Sequence, residues 1–401
     1  MTSEPTLSGR IGAATPPGRD RAVDGLRALA ILGVVLGHWL VTALVADSGS
    51  VRVASPLKAV PELAPISWVF QTLALFFLVG GMTAAKSYAS ATGYGPWIRA
   101  RLARLGRPVV PVLLVWCAAA GGMLVAGAEL ETVTALVRLV ISPLWFLLVF
   151  AALTAATPLA VRLHPVWPLA VVVVVDLLRY GLAAPDWLGW VNLAAGWLVP
   201  YTLGAAWTRG TLGGTGARGG SGERGAVGTR GAVGGHGAVG AAGTRGGPRA
   251  RRTAWALLVG GGVSAAALVV WAGYPASMVG VPGAAISNLN PPTLAAVAFG
   301  LAQCGAALLA HGPLTRALRR PAAWAAVALA NLSAMTVFLW HQTAMIAVTA
   351  LGLAAAGPLP GLHTAPVESD WVVARVAWLP VFAAALLVCV AAFRSAELRR
   401  A

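Results

Sequence analysis

Apolar runs of roughly twenty residues, separated by short polar connections, repeat along this chain from residue 25 to residue 393. About twenty apolar residues in helical conformation span the hydrocarbon core of a bilayer, so each run is a candidate crossing. Ten are found, centred in 25–46, 65–85, 108–127, 143–161, 166–183, 187–208, 254–273, 292–311, 325–353 and 371–393. The ninth is long enough for two spans but carries no turn signal between Ala322 and Ala356, and it is expected as one tilted or interface-extended helix. The pattern predicts an all-α, polytopic integral membrane bundle of about ten transmembrane helices. Apart from one Gly-rich stretch, no connection is long enough for a soluble catalytic domain, which leaves chemistry to the bundle and its mouths.

Composition agrees with the pattern. Of 401 residues, 58% are hydrophobic and only 10% charged, far from the usage of soluble globular proteins. The formal charge of +16 would suit a nucleic-acid binder, but the arginines lie between apolar spans and no basic, aromatic-interleaved soluble domain carries them, so no nucleic-acid partner is expected. Their distribution reads as topology. With the N-terminus inside, 24 of the 29 Lys and Arg fall on the inner side, and only Arg52, Lys58, Arg138, Arg179 and Arg375 lie elsewhere. Both termini are therefore expected in the cytoplasm, with the bundle in the cell membrane. The first apolar run follows more than twenty polar residues and is as long as a span, so it is expected as a retained helix, although "LVADS" at 44–48 weakly resembles a small-residue cleavage site.

The chain divides accordingly. Residues 1–23 form an N-terminal tail, 24–208 the first six crossings, 209–253 a linker, 254–393 the last four crossings and 394–401 a C-terminal tail. The linker contains "RGAVGTRGAVGGHGAVGAAGTRGG", a repeat with almost nothing to bury, and is expected to be a disordered cytoplasmic segment in which His236 is inert. Cys117, Cys304 and Cys389 sit in three different apolar runs, which provides neither a disulfide framework nor metal-ligand spacing.

Candidate chemistry concentrates in the first run, "DGLRALAILGVVLGHWL" (24–40). Eleven residues rotate a helix by about 1100° and advance it roughly 16 Å, so Arg27 and His38 share one face, and an elongated ligand lying along that face would touch both. His38 falls near the membrane midplane, where an ionisable side chain indicates a cavity or a polar partner. A neutral imidazole there keeps a nitrogen able to take a proton from a hydroxyl. The competing reading is a histidine bonded to a neighbouring helix for packing. For Arg27 the competing reading is an ordinary anchor at a helix end. A second cluster, "RARLARLGRP" (99–108), presents Arg101 and Arg104 as i,i+3 neighbours with forks suited to phosphate, against a reading as positive-inside anchors. His341 in the ninth run either lines the same cavity or bonds between helices. Asp176 and Arg179, i,i+3 on the fifth run, are expected to neutralise each other as a structural pair with a place in the cavity wall as the alternative. Trp145, Trp190 and Trp197 are expected as interface anchors. His164, His311 and His363 receive no role, and no Asp or Glu lies close enough on the helix of His38 to orient it.

The opening "RAVDGLRALAILGVVLGHW" resembles the first-span signature of the membrane-bound acyltransferase 3 family, an Arg and a His separated by ten residues, here Arg27 and His38. "FFLVGG" (76–81) resembles that family's Phe-Phe-x-x-Ser-Gly element, Arg101-Leu-Ala-Arg104 its Arg-x-x-Arg motif, "PLWFL" (143–147) its aromatic fourth span and "FLWHQ" (338–342) its penultimate-helix pattern. The likeness covers the chain apart from the linker. Gly80 stands where the family commonly has Ser, so no hydroxyl is available there.

The resemblance implies an acyl-CoA-dependent O-acyltransferase. It would move an acyl group, often acetyl, from cytoplasmic acyl-CoA as co-substrate to a hydroxyl on a glycan, lipid or small-molecule acceptor, with no bound cofactor and no metal. It assigns His38 as base or acyl relay, and Arg27, Arg101 and Arg104 to the donor's phosphates or the catalytic geometry. No appended extracytoplasmic esterase-like domain of the kind some relatives have is expected. The rival class is a transporter or flippase in which the buried Arg, His and Asp line a translocation path without acyl chemistry.

Overall fold

Asp20 opens the first long helix by accepting hydrogen bonds from the backbone N–H of Ala22 at 3.1 Å and Val23 at 3.2 Å, a side-chain cap of the kind that satisfies otherwise orphaned donors. In the computed structural model, which describes residues 6–47, 50–210, 247–282 and 287–398, this helix, α1, runs over Arg21–Val41. It ends at Thr42, whose backbone is extended. A two-stranded antiparallel hairpin follows, β1 (Ala43–Asp47) with β2 (Ser50–Ala54), pairing Ala43 with Ala54 and Val45 with Arg52. This hairpin takes up the last residues of the first apolar run and is a small exception within a bundle that is otherwise helical, as expected.

Helices make up nearly all of the remainder: α2 (Leu73–Ala89), α3 (Tyr94–Gly106), α4 (Val109–Val125), α5 (Leu130–Ile141), α6 (Leu144–Ala155), α7 (Val166–Asp176), α8 (Val191–Thr208), α9 (Pro248–Trp271), α10 (Leu294–Ala317), α11 (Pro321–Leu332), α12 (Ala334–Ala356) and α13 (Ser369–Leu398). Among the described residues, eight helical stretches are long and apolar enough to cross a membrane: Arg21–Val41, Pro61–Ala89, Tyr94–Val125, Leu130–Ala155, Pro248–Trp271, Leu294–Ala317, Ala334–Ala356 and Ser369–Ser395. The chain is an apolar helical bundle of the membrane type. The runs at 166–183 and 187–208 form α7, eleven residues continued by a π turn, and α8, which contains Pro200 and carries buried Asn192, Tyr201 and Thr202. A helix enclosed by protein can carry polar groups that a lipid-facing one cannot.

The ninth run is not one helix. It breaks at Ser333 into the twelve-residue α11 and the membrane-length α12. The cause lies on α13: the Glu397 carboxylate accepts from the backbone N–H of Met335 at 3.1 Å and of Thr336 at 3.0 Å, and from the Thr336 hydroxyl at 2.8 Å. A carboxylate on the first N–H groups of a helix fixes its start, and this one comes from far along the chain.

At the centre of the bundle α2 packs on α8 at backbone contact. A Cβ on Gly81 would collide with the Tyr201 carbonyl, and one on Gly204 with the Leu78 carbonyl, so only glycine allows this approach. Around the seam an aromatic core gathers Phe76, Phe77, Phe146, Phe150, Trp197 and Phe338, with ring centroids 4.9 to 6.0 Å apart for Phe76–Phe146, Phe77–Phe146, Phe77–Phe150 and Phe146–Phe338. Gly80 faces the Phe150 ring so closely that a Ser side chain would displace it, which accounts locally for glycine at this position. Trp197 is a correction: it is 2% exposed and stacked on Phe77 at 5.1 Å, a core residue and not an interface anchor. Trp190 remains exposed at the helix end.

The N-terminal tail is tethered. A short helix, Leu7–Ala13, precedes α1, and the indole of Trp324 on α11 donates to the Thr15 hydroxyl at 2.7 Å while Arg21 lies over its ring at 4.8 Å. Most of the Gly-rich linker, with His236, lies outside the described residues, as do residues 399–401 of the C-terminal tail.

Candidate active site

The site grows from α1. His38 sits in its last turn, with Nδ1 2.9 Å from the Val34 carbonyl. A carbonyl only accepts, so in the neutral ring the proton is on Nδ1 and the lone pair is on Nε2. From α12, His341 comes against it, ring centroids 4.9 Å apart and planes inclined by 50°. The same logic applies to His341, whose Nδ1 donates to the Phe338 carbonyl at 2.6 Å. Its Nε2 is buried without a hydrogen-bond partner. Two imidazoles thus keep uncommitted acceptor nitrogens side by side in the bundle interior. His38 is partly exposed and His341 fully buried, so His38 is the more accessible of the two.

Gln342 adds to this unsatisfied set. It is 0% exposed, and neither its carbonyl oxygen nor its amide nitrogen has a partner among the described residues. It lies one turn beyond Phe338, on the side of α12 that Phe338 turns toward Phe146. A buried polar group left unpaired costs about 1–3 kcal/mol. His341, beside His38, and Gln342, its neighbour in sequence, therefore carry buried polar atoms whose hydrogen-bonding capacity is unfilled among the described residues.

At the other end of the shared face, Arg27 has 28% of its side chain accessible and stands 3.6 Å from Asp24. Asp24 is buried and held by Arg19 through two bonds, at 2.6 and 3.1 Å. Arg27, Arg101 and Arg104 lie near enough to feel one another's charge, so the structure brings the two arginine motifs together near the start of α1. Their forks are not equivalent. Arg101 spends donors on α2, on the Thr83 carbonyl at 3.1 Å and on the Ser87 hydroxyl, and lies over the Trp97 ring at 5.8 Å. Arg104 is exposed and forms no ion pair among the described residues.

The expected pair of Asp176 and Arg179 is not formed. Asp176 accepts from the Asn192 amide at 2.8 Å, the Tyr274 hydroxyl at 3.0 Å and the Leu294 backbone N–H at 2.6 Å, while Arg179 meets exposed Asp186 at 3.3 Å. The π turn at Leu177–Gly181 is the reason, because its wider turn takes Arg179 off the face of Asp176. Neither residue bonds to His38 among the described residues. Asp176 is a fully bonded knot joining α7, α8 and the start of α10.

Three further residues went unread in the sequence. Asp24 carries an i,i+3 signal toward Arg27 that its spacing displays. His311 donates to Asp20 at 3.2 and 3.0 Å and so supports the α1 cap. Burial would raise the Asp20 carboxyl, but the bond and charge of His311, together with the N–H groups of Val23 and Ala22, bring it below its ordinary value of 3.8. Trp39, next to His38, donates its indole N–H to the His341 carbonyl at 2.9 Å. His363 is buried and bonded to the Thr349 carbonyl and the Leu359 N–H, which ties a loop to α12.

The described residues form an apolar helical bundle that brings together an imidazole pair and, at the other end of α1, a group of arginines. The model of the acyltransferase 3 family, described as an acyltransferase domain, matches residues 20–394, nearly the whole chain. The chain belongs to this family, and it is a membrane acyltransferase. No curated protein and no solved structure matches it.

Proposed function

We propose that this acyltransferase takes its acyl group from an acyl-CoA and delivers it to a hydroxyl of a glycan, lipid or small-molecule acceptor, with His38 as the base. The observation that carries this reading is the Nε2 lone pair of His38, freed by the Nδ1 bond to Val34 and set 4.9 Å from a second imidazole. The acceptor O–H gives its proton to His38 Nε2 as its oxygen bonds to the thioester carbon. The tetrahedral oxyanion collapses, the C–S bond breaks, and the leaving thiolate takes the proton back from the His38 imidazolium. His341 Nε2 is suited to accept from a second donor on the acceptor, and the Gln342 amide N–H to donate to the thioester carbonyl oxygen, which would engage groups now unpaired.

The donor fits the same face. Arg27 and Arg104, with Arg101 behind them, offer permanently charged forks for CoA phosphates. The pantetheine arm would then run the roughly 16 Å of α1 to His38. The reading sets both termini and the arginine mouth in the cytoplasm, where acyl-CoA is made, and it is supported by the distribution of arginines along the chain.

The test uses the full chain in lipid nanodiscs with radiolabelled acetyl-CoA and an extract of cell-envelope lipids and glycans. Appearance of label in an ester, with equimolar free CoA, is expected. A transporter without acyl chemistry would release no CoA under any acceptor.

A further inference from the structure

The chemistry above leaves a buried cation unused at the far end of α1. Arg375, on α13, is 0% exposed and forms no ion pair among the described residues. Its donors go to carbonyls: Nε to Trp39 at 2.7 Å, Nη2 to Thr42 at 2.9 Å and Nη1 to Gly361 at 2.9 Å. Nη2 also reaches the Met345 sulfur at 2.9 Å, and the Phe382 ring lies 4.6 Å from the guanidinium carbon.

A buried cation without an anion is costly to desolvate. Here the C-terminus of α1 supplies the compensating charge, since its last carbonyls lack intrahelical partners and form the negative end of the helix dipole. Anchoring alone is one consequence. The second follows from which carbonyls are held. Trp39 directly follows His38, and it is bound twice, its backbone carbonyl to Arg375 on α13 and its indole N–H to the His341 carbonyl on α12. Met345, four residues past His341 on the same face of α12, also touches Arg375. One guanidinium therefore reaches both helices that carry the paired imidazoles.

We infer that Arg375 is a positioning residue, which through Trp39 sets the last turn of α1 and so holds His38 at its working distance from His341. The inference rests on the reading of His38 as the base. A lysine has three donors on one atom and no planar fork, so it cannot reach all three carbonyls in this geometry.

The experiment compares full-length wild type, Arg375→Gln, Arg375→Lys and Trp39→Phe, alone and combined, for kcat and acyl-CoA KM per folded molecule, thermal unfolding and amide exchange over residues 38–46. Arg375→Gln is expected to lower kcat by about tenfold or more, as a small misplacement of a reacting group does, with KM for acetyl-CoA within about twofold. Arg375→Lys should recover part of that loss. Trp39→Phe should add less in the Arg375→Gln background than it does alone, because both act on one link. Exchange at residues 39–42 should quicken. Unchanged exchange there overturns the inference whatever the turnover, and so does a lowered melting temperature with kcat per folded molecule intact. Should Arg375→Gln fail to fold, Arg375→Lys carries the same comparison. If wild type itself transfers nothing, the assignment of His38 fails, and exchange still decides whether Arg375 holds the end of α1.

Discussion

His38 and His341 stand 4.9 Å apart, ring centroid to ring centroid, on helices from opposite ends of the chain, and each gives its Nδ1 proton to a carbonyl on its own helix. This shared arrangement leaves Nε2 of each ring free to accept a hydrogen bond. Replacing His341 by Ala should lower kcat by about ten- to a hundredfold, less than the loss of a general base, because His341 assists the acceptor without taking its proton. Steady-state kinetics on the purified variant check this. Loss of acyl-CoA binding with kcat unchanged would remove His341 from the site.

Gln342 makes the opposite demand on stability and function. Its buried amide has no partner, so Gln342→Leu removes an unsatisfied group and should stabilise the ligand-free protein by about 1 kcal/mol or more. The same change should reduce kcat. Thermal unfolding and turnover measured on one preparation give both results, and a destabilised but fully active variant would contradict the assignment.

The arginines should separate by kinetics. Arg104 is exposed and forms no ion pair among the described residues, so Arg104→Ala should raise the acyl-CoA KM by roughly tenfold or more, the worth of one charge-assisted contact, with little effect on unfolding. Arg101 is bonded to Thr83 and Ser87 and lies over Trp97, so Arg101→Ala should also lower the melting temperature. Identical stability of the two variants would contradict the division of roles.

What could be read in advance follows the range of the interactions. Arg27 and His38 share a face because they share a helix, and covalent spacing settles that before any folding. The break at Ser333 was invisible because Glu397, more than sixty residues away, makes it. The π turn undid the expected Asp176–Arg179 pair, since i,i+3 adjacency assumes regular α geometry. Arg375 looked like one of five cations outside the inner loops, and Gln342 appeared only as the last residue of the FLWHQ pattern. The first acquires a role only when α1 and α13 meet, the second only when its neighbours are seen to offer it nothing.

The α1 cap supplies a pH-dependent prediction. Asp20 is held below its ordinary 3.8, so its contribution to stability is complete above that value and declines as pH falls through the lower folded value. Asp20→Ala should cost about 1 kcal/mol at neutral pH, and the gap to wild type should narrow in acid below about pH 4. A gap that widens on acidification would contradict the capping role.

The central claim is that His38 takes the acceptor proton while the arginine mouth, a helix length away, holds the donor. Measuring kcat and the acetyl-CoA dissociation constant of purified His38→Ala beside wild type tests both halves at once. The account predicts a fall in kcat of about 10²–10⁴-fold with acetyl-CoA affinity unchanged. Turnover retained within about tenfold of wild type, or acetyl-CoA binding lost along with activity, would contradict it.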